Sequence, residues 1–482
     1  MPLPQTRFRY ILPSRAAAHN SERQYMQKKQ NRKAVQGLRV IQPDVAGIDL
    51  GSREHYMCCP PREDGRPNVK SFKTTTPELV RLADWLKEER VQSVAMESTG
   101  VYWIPLYELL ESRGVEVVLA NSKMLSRVPG RKTDMLDCQW IQRLHSCGLL
   151  KGAFRPNEAI CRWRTLVREK NMMEGERTDW VRRIQKSLDQ MNIQVHHAVS
   201  DITGQTGMSI LRAIVAGERD PRKLAEFRDP RCKKSAARIA EHLTGNWREE
   251  HLFVLKQNLG MYDHMCTRLE EYQAEILNVL ASLQPPELET APVPEVRNTA
   301  KRKNIRKRGQ EPMRTGLYLF SGVDLTSIDG ISAGTAETVL SEMGSNLEKF
   351  PTEKHFTAYV NLAPKLAISG GKPVRKKPRG SGPNRIGTAL RMAAVSLRNS
   401  KTALGSEYRR IARRKGAGVA VFALARKLAI LIYRMLRWGQ AYVDEGCEVY
   451  EKRFEAARLR SCQSMAKDLG YKILPMEMSA VG

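Results

Sequence analysis

The chain has 482 residues and a formal net charge of +28, from 80 Lys and Arg against 52 Asp and Glu. Two or three domains are expected at this length, and a hydrophobic fraction of 41% excludes a wholly disordered polymer. The mean hydropathy of −0.47 and the lack of an uncharged stretch as long as a bilayer span argue against a membrane protein. The positive surplus predicts a polyanionic partner, because neutralising phosphates releases their condensed counterions.

The nine cysteines are odd in number and irregular in spacing, and Cys58 and Cys59 are adjacent. No paired C-x-x-C motifs are present, which disfavours both a structural zinc site and a disulfide framework. Residues 1–43 are polar and basic without a sustained period, which predicts a flexible arm that is either solvated or bound to nucleic acid. The first residues lack a sustained apolar segment, so secretion is disfavoured and reduced thiols in a cytoplasm are expected.

Residues 44–152 predict a mixed α/β domain. Short apolar runs predict five strands, at Val45–Leu50, His55–Cys59, Lys70–Thr74, Ser93–Met96 and Val115–Ala120. Helices are predicted at Trp103–Ser112 and Asp134–Ser146, and another contains Pro77 in its first turn with Thr76 as N-cap. This order of three strands, helix, strand, helix, strand, helix is typical of a mixed sheet packed with helices.

Residues 153–284 are predicted to be helical. Apolar residues at steps of three and four form a short series from Val181 to Val195 and a longer seam. The seam, broken only by Gln273, consists of Leu252, Leu255, Leu259, Tyr262, Cys266, Leu269, Gln273, Ile276, Leu280 and Leu283. It predicts a coiled coil or a long antiparallel helix pair, with dimerisation as a corollary. The alternative is an amphipathic helix packed on its own domain.

A Pro-rich acidic run followed by a cationic block occupies residues 285–315, which we interpret as a disordered basic linker. A second globular domain is predicted over residues 316–440, followed by a helical tail over 441–482. The predicted fold class is therefore α/β plus all-α.

Four carboxylates in the α/β domain are notable for their positions. Asp49 ends the first strand and Glu97 follows the fourth, while Asp134 and Asp137 lie three apart on one face at the start of a helix. If the two strands are neighbours, all four acids can meet at one edge of the sheet. They would then repel one another unless cations neutralise them, and oxygen-only ligands suit Mg²⁺ or Mn²⁺. Two such ions can promote phosphodiester cleavage.

Each acid alone also has a structural explanation. Asp49 is in a position typical of a turn residue, and Glu97 could serve as a helix-entry acid. Asp134 and Asp137 would interact favourably with the helix dipole without any metal. Their joint order on a strand-rich domain, within a polycationic chain, favours metal binding.

The chain resembles the DEDD transposases of bacterial insertion sequences, a family related to the Piv-type DNA invertases, in GIDLGS, AMESTGVYWIPL and NSKMLSRVPGRKTDMLDCQW. It resembles the C-terminal transposase domain of the same family in DGISAGTAETVLSEMG, FTAYVNLAPKLAISGGK and RMAAV. The resemblance covers roughly residues 44–440, interrupted by the linker. It implies a RuvC-like, ribonuclease H-type first domain and a mainly helical C-terminal domain. One departure is Ser332, which stands where a second hairpin glycine is common.

The resemblance implies that Asp49, Glu97, Asp134 and Asp137 are the metal-binding acids. It also implies that Ser369 in AISGGK is a nucleophile that bonds covalently to DNA, and Ser381 in RGSGPN is its rival in the same loop. A phosphoserine link keeps the energy of the broken bond for strand exchange. Nearby basic residues would hold the phosphate backbone: Lys372, Arg375, Lys376, Lys377, Arg379 and Arg385.

The leading hypothesis is a transposase, a site-specific DNA recombinase acting at a composite site of two domains or two protomers. The resemblance implies double-stranded DNA at the element ends and target, a non-coding bridge RNA that selects the target, and a homo-oligomer, either dimer or tetramer. It also implies a bacterial cytoplasmic protein associated with the nucleoid. Two alternatives remain: a metal-dependent, junction-resolving nuclease in which water attacks, and a non-catalytic nucleic-acid-binding protein whose acids only cap structural elements.

Overall fold

The computed structural model describes residues 38–98, 100–121, 125, 134–232, 234–288, 292–296, 298–364, 368–369, 372–373, 384–439, 441 and 446–473. At residues 134–135, 368–369, 372–373 and 447 it describes the backbone alone. The chain divides into two compact units, Met1–Arg155 and Pro156–Gly482. The finer division of the chain into six segments stays a prediction.

The first unit contains β1 (Val45–Leu50), β2 (Glu54–Cys59), β3 (Asn68–Lys73), α1 (Thr76–Glu88), β4 (Ser93–Glu97), α2 (Trp103–Ser112), β5 (Glu116–Ala120) and α3 (Asp134–Ser146). The strands form one five-stranded sheet in the order β3-β2-β1-β4-β5. β1 pairs antiparallel with β2 and parallel with β4, while β2–β3 is antiparallel and β4–β5 parallel. The predicted mixed α/β architecture is therefore confirmed.

Helices cover both faces of the sheet, as the alternation of side chains along each strand requires. On one face Ala46, Ile48 and Met96 are fully buried in a core shared with α1 and α2. On the other face Ala95 packs in a core with Ile141 of α3. Consecutive residues of β1 and β4 therefore point alternately toward α1 and α2 and toward α3.

Two details of the first unit differ from the sequence-based expectations. The N-cap of α1 is Thr75 rather than Thr76, and its side chain makes no capping hydrogen bond. The end of the predicted flexible arm is hydrogen-bonded to α3, because the backbone nitrogens of Ile41 and Gln42 donate to the Ser146 carbonyl at 2.8 and 3.0 Å. The last carbonyl groups of a helix have no donors within that helix, and Ile41 and Gln42 supply two donors to one of these carbonyls.

The closest approach of α3 to the sheet is at Gly47 in the middle of β1. A Cβ atom at this position would overlap the backbone nitrogen of Gln142 and the carbonyl oxygen of Cys138. Glycine inside a strand commonly marks such an approach of another backbone. Any larger residue would force α3 away from β1.

We expect the Gly47→Ala substitution to lower the free energy of unfolding of the first unit by about 1–3 kcal/mol, the usual cost of overpacking. Thermal and urea unfolding measure this effect. The matched control is Gly175→Ala, because no atom lies within 4 Å of a Cβ built there. Gly175 is inside a helix, where Ala is favoured by up to about 1 kcal/mol. Equal stability of Gly47→Ala and the parent protein would contradict the close-packing argument.

The second unit is mainly helical. Its elements are α4 (Glu158–Asp189), α5 (Val195–Ala198), α6 (Gln205–Ala216), α7 (Pro221–Glu226), α8 (Ala236–Leu243), α9 (Glu249–Ser282), α10 (Thr299–Lys307), α11 (Glu311–Ser321), α12 (Ala333–Met343), α13 (Glu353–Tyr359), β6 (Ile368–Ser369), β7 (Lys372–Pro373), α14 (Arg385–Ser396), α15 (Ala403–Lys415), α16 (Ala417–Trp438) and α17 (Cys447–Asp468). Short 3₁₀ turns lie at Pro286–Leu288, Leu325–Ser327 and Leu397–Asn399. Of the helices that the structure describes, none combines the length and apolar character that crossing a bilayer demands.

The long seam pairs with α4 of the same chain. α4 and α9 run antiparallel, since Arg162 Nη2 contacts Glu275 at 3.2 Å near one end and Asn258 Nδ2 donates to Ser187 Oγ at 3.2 Å near the other. Of the two architectures that the seam predicted, the structure shows the antiparallel helix pair. Gln273, which interrupts the apolar seam, accepts a hydrogen bond from Lys170 Nζ at 3.3 Å.

The segment predicted to be a disordered linker differs from that expectation in its described part, where α10 and the start of α11 are helical. The Asn298 side chain caps α10 by accepting from the Lys301 nitrogen at 3.1 Å. Ile305 is only 4% exposed, and Lys301 Nζ donates to the Ile328 carbonyl at 2.7 Å. The cap orders the start of α10, and the buried Ile305 together with the hydrogen bond to Ile328 anchors this cationic segment, which composition alone did not indicate.

Candidate active site

Asp49 and Glu97 lie at the carboxyl ends of two neighbouring parallel strands. β1 and β4 are in register, with Ile48 opposite Met96, so the next residues along each strand are Asp49 and Glu97. Both acids point to the face covered by α3, because side chains two residues apart on a strand lie on the same face. Asp49 is two residues after Gly47, and Glu97 is two residues after Ala95, and both Gly47 and Ala95 pack against α3. The condition set by the sequence, that the two strands be neighbours, is therefore met.

The first turns of α3 lie at this same edge of the sheet. Gln142 Nε2 donates to the Val45 carbonyl at 3.3 Å, whereas Cys138, one turn earlier, interacts electrostatically with Asp49. The helix therefore runs antiparallel to β1 and begins near the end of that strand. Burial, together with the nearby Cys58 and Asp49, raises the pKa of the Cys138 thiol to about 12. Cys138 is thus a neutral packing residue beside the acids.

The two acids of α3 lie at its sheet-edge end. Asp137 precedes Ile141 and Leu144 by about one and two turns, and both of these pack in the core between α3 and the sheet. Asp137 is therefore aligned with the sheet-facing side of the helix and is half-buried. Asp134 is the first residue of α3, one turn before Asp137, and its side chain lies outside the described residues.

The donor chemistry of this edge fits a hard divalent cation. Asp49, Glu97 and Asp137 are half-buried carboxylates, so water and ions can reach their oxygen atoms. Each of the three interacts with some other group in this conformation. Among the described side chains, which exclude that of Asp134, no group of three or more His, Cys, Asp or Glu is arranged to hold a metal ion.

The predicted nucleophile lies on a small hairpin of the second unit. The backbone of β6 pairs antiparallel with that of β7, and Ser369 is opposite Lys372. A basic residue therefore accompanies the serine across the hairpin. The side chains of both residues lie outside the described part of the chain, as do Ser381, Arg375, Lys376, Lys377 and Arg379 in full.

Arg385 is described, and it begins α14 directly after this segment. Its side chain is 54% exposed and its Nε atom lies 3.8 Å from Glu342 Oε1.

Ser332, which stands in place of a hairpin glycine, caps α12 by accepting from the Thr335 nitrogen at 3.1 Å. The serine therefore contributes to helix capping there.

Sequence reasoning missed the residues that position α3. Gly47 allows the helix to approach β1, and a hydrogen bond of 2.9 Å between Ser93 Oγ and His145 Nε2 joins the other end of α3 to β4. Burial lowers the pKa of His145, which favours its neutral form in this contact. The available clue was a glycine inside an otherwise apolar strand.

Two family models and one curated relative match parts of this chain. A family model for DEDD transposases of the IS110 type, described as "Transposase", matches residues 46–193, and the model described as "Transposase IS116/IS110/IS902 family" matches residues 322–409. The "Insertion element IS110 uncharacterized 43.6 kDa protein" of Streptomyces coelicolor is 33% identical over 120 residues. That match covers 24% of this chain and 29% of the relative. Both models match in order along one chain, so residues 46–193 and 322–409 are similar to the transposases of the IS110 type.

Proposed function

We propose that the protein is a site-specific DNA recombinase that excises and inserts a mobile element by strand cleavage and exchange through a phosphoserine intermediate. The observation that carries this proposal is the convergence of acids at one sheet edge. Asp49 and Glu97 end adjacent parallel strands on the face covered by α3, and α3 begins at that edge with two further acids. The similarity of residues 46–193 and 322–409 to transposases of the IS110 type supports the same conclusion.

The sheet order supports a RuvC-like, ribonuclease H-type fold for the first unit. Three antiparallel strands followed by two parallel ones, β3-β2-β1-β4-β5, place an acid of the central strand beside an acid of β4. In this proposal Asp49, Glu97, Asp134 and Asp137 hold Mg²⁺, or Mn²⁺ in its place. When bound, such ions stabilise the negative charge that develops during phosphodiester cleavage.

In this proposal Ser369 supplies the nucleophile. Its Oγ forms a bond to phosphorus while one phosphorus–oxygen bond of the DNA backbone breaks, and the leaving oxygen takes up the proton that the serine loses. A hydroxyl at the end of another DNA strand later attacks the phosphorus of the phosphoserine. The bond between phosphorus and Ser369 Oγ breaks, and Oγ regains a proton from the attacking hydroxyl, so no outside energy source is required. Lys372 pairs with Ser369 across the hairpin, and in this proposal it holds the phosphate that Ser369 attacks.

The partners of this reaction belong to the proposal as well. A net charge of +28 supports binding to double-stranded DNA and to a non-coding bridge RNA that directs target choice. Contacts of Lys and Arg to phosphates give affinity without sequence choice, so an RNA guide would supply the specificity. Strand exchange between two DNA partners also calls for a homo-oligomer.

We expect a covalent protein–DNA adduct when the full-length chain is incubated with Mg²⁺, the element's RNA and a nicked suicide substrate built from the element ends. The adduct forms because the nick lets the leaving strand diffuse away before religation. Denaturing electrophoresis of labelled DNA measures it. Ser369→Ala is expected to abolish the adduct, whereas Ser381→Ala in the same segment is expected to retain it.

The other outcomes distinguish the alternative functions. Cleavage without an adduct, lost in Asp49→Ala and retained in Ser369→Ala, would indicate a nuclease that uses water. Binding without cleavage under all divalent-ion conditions would indicate a non-catalytic nucleic-acid-binding protein. Loss of the adduct in Ser381→Ala but not in Ser369→Ala would move the nucleophile within the segment and leave the reaction class unchanged.

A further inference from the structure

Three arginines of the second unit surround one buried carboxylate. Arg168 on α4 makes a bidentate pair with Glu342 on α12, with Nε and Nη2 at 2.8 and 2.6 Å from the two carboxylate oxygens. Arg385 lies 3.8 Å from the same carboxylate, and Arg164 lies one turn before Arg168 and interacts electrostatically with it. We call Arg164, Arg168 and Arg385 the arginine cluster.

The arginine cluster carries more positive charge than Glu342 can neutralise. Three guanidinium charges against one carboxylate charge leave an excess of two at ordinary pH. Arg164 Nη2 donates at 3.4 Å to the thiol sulfur of Cys161, which is a weak acceptor. Burial lowers the pKa of Arg164, in keeping with a guanidinium that is partly desolvated beside another cation. This arrangement is costly without an anion.

An anion from solution can reach the cluster. The side chains of Arg168 and Arg385 are 40% and 54% exposed, whereas that of Glu342 is 10% exposed. The carboxylate therefore lies beneath the guanidinium groups and fixes their positions, and the guanidinium groups face solvent. Rigid, planar, doubly donating groups of this kind match the geometry of a phosphate.

The cluster lies where the segment that carries Ser369 leaves and rejoins the helices. Asn384 Nδ2 donates to the Tyr359 carbonyl at 3.3 Å, which joins the residues before and after this segment. Tyr359 in turn interacts with Arg164 and Arg168, and burial raises the pKa of its hydroxyl. Ser369 follows Pro364 by five residues, so its Cα lies within about 18 Å of the Cα of Pro364.

We propose that the arginine cluster binds a backbone phosphate of the DNA substrate close to the segment that carries Ser369. Glu342 is a positioning residue, since it holds Arg168 and Arg385 so that their free donors face the same phosphate. This inference rests on the proposed function, because it assigns the anion to the DNA on which that function acts. The competing explanation is that the cluster only ties α4, α12 and α14 together.

The test measures binding of a labelled linear DNA duplex to the full-length Ser369→Ala protein in EDTA, over a series of salt concentrations. Each phosphate neutralised by a basic side chain contributes about −0.9 to the slope of log K against log salt concentration. Arg164→Gln and Arg385→Gln are each expected to make this slope shallower, by at most about one contact because the arginines share one phosphate. Arg164→Lys is expected to preserve the slope, because it keeps the charge.

The matched control is Arg238→Gln on α8, since Arg238 is 68% exposed and pairs with Glu241 outside the cluster. Its slope is expected to equal that of the parent. Unchanged slopes in Arg164→Gln and Arg385→Gln, with or without a lower melting temperature, would overturn the inference in favour of a packing role. An equal slope change in Arg238→Gln would overturn it in favour of a diffuse charge effect. Because this assay requires neither metal nor serine, its outcome is independent of the adduct experiment.

Discussion

The Asp49→Asn variant is expected to cleave DNA at least about 10²–10³-fold more slowly than the parent, the range found when one preorganised electrostatic group is removed from an active site. Asp49 is at the centre of the proposed site, since it is flanked by Glu97 on β4 and by the start of α3. The substitution keeps the size and shape of the side chain and removes its charge. Single-turnover cleavage with excess protein measures the effect.

Two further measurements separate loss of a metal ligand from loss of the fold. Mg²⁺ is expected to raise the melting temperature of the first unit in the parent but not in Asp49→Asn, because only an ion bound to the folded state stabilises it. Asp44→Asn is the matched control, since Asp44 is exposed and lies at the opposite edge of the sheet, just before β1. Normal cleavage by Asp49→Asn would refute the assignment of these acids to catalysis.

The sequence predicted the first unit well because local patterns determine it. The strands consist either of alternating apolar and polar residues or of continuous apolar residues, bounded by turn residues. The predicted bounds of β1, α2 and α3 agree with the structure. The positions of Asp49 and Glu97 followed from these bounds once β1 and β4 proved to be neighbours. The tight approach at Gly47 was not predictable, because it depends on the path of a helix that is about 90 residues away in the chain.

The second unit was less predictable because its specific contacts join distant segments. The seam of α9 indicated a partner helix, but it carried no information on whether that helix belonged to the same chain. Gln273 looked like a defect of the seam until its partner Lys170 was known. The pair of Arg168 and Glu342 is separated by 174 positions, a distance over which residue spacing predicts nothing.

The Lys170→Met variant is expected to lose about 3–5 kcal/mol of stability in the second unit, the usual cost of leaving a buried charge without its partner. Lys170 Nζ lies 2.7 and 2.6 Å from the two carboxylate oxygens of Glu337, and their side chains are 8% and 4% exposed. Glu337 is on α12, so the pair joins this helix to the antiparallel pair of α4 and α9. Hydrogen exchange of peptides from α4 and α12 measures the loss.

The pH dependence and a second substitution test the cause of that loss. Burial raises the pKa of Glu337, whereas the charge and the hydrogen bonds of Lys170 lower it, so the Lys170→Met substitution should raise this pKa further. A raised pKa in the folded state means that stability is retained below the ordinary pKa of Glu and lost as the pH rises through the folded value. The defect of Lys170→Met should therefore shrink in acid, and adding Glu337→Leu should recover most of the stability, since an apolar pair removes the buried charge altogether. The control is Lys186→Met, since Lys186 is exposed on the same helix. A loss of stability that is the same at every pH, or that Lys186→Met matches, would show that lost packing rather than the unpaired Glu337 carboxylate destabilises the protein.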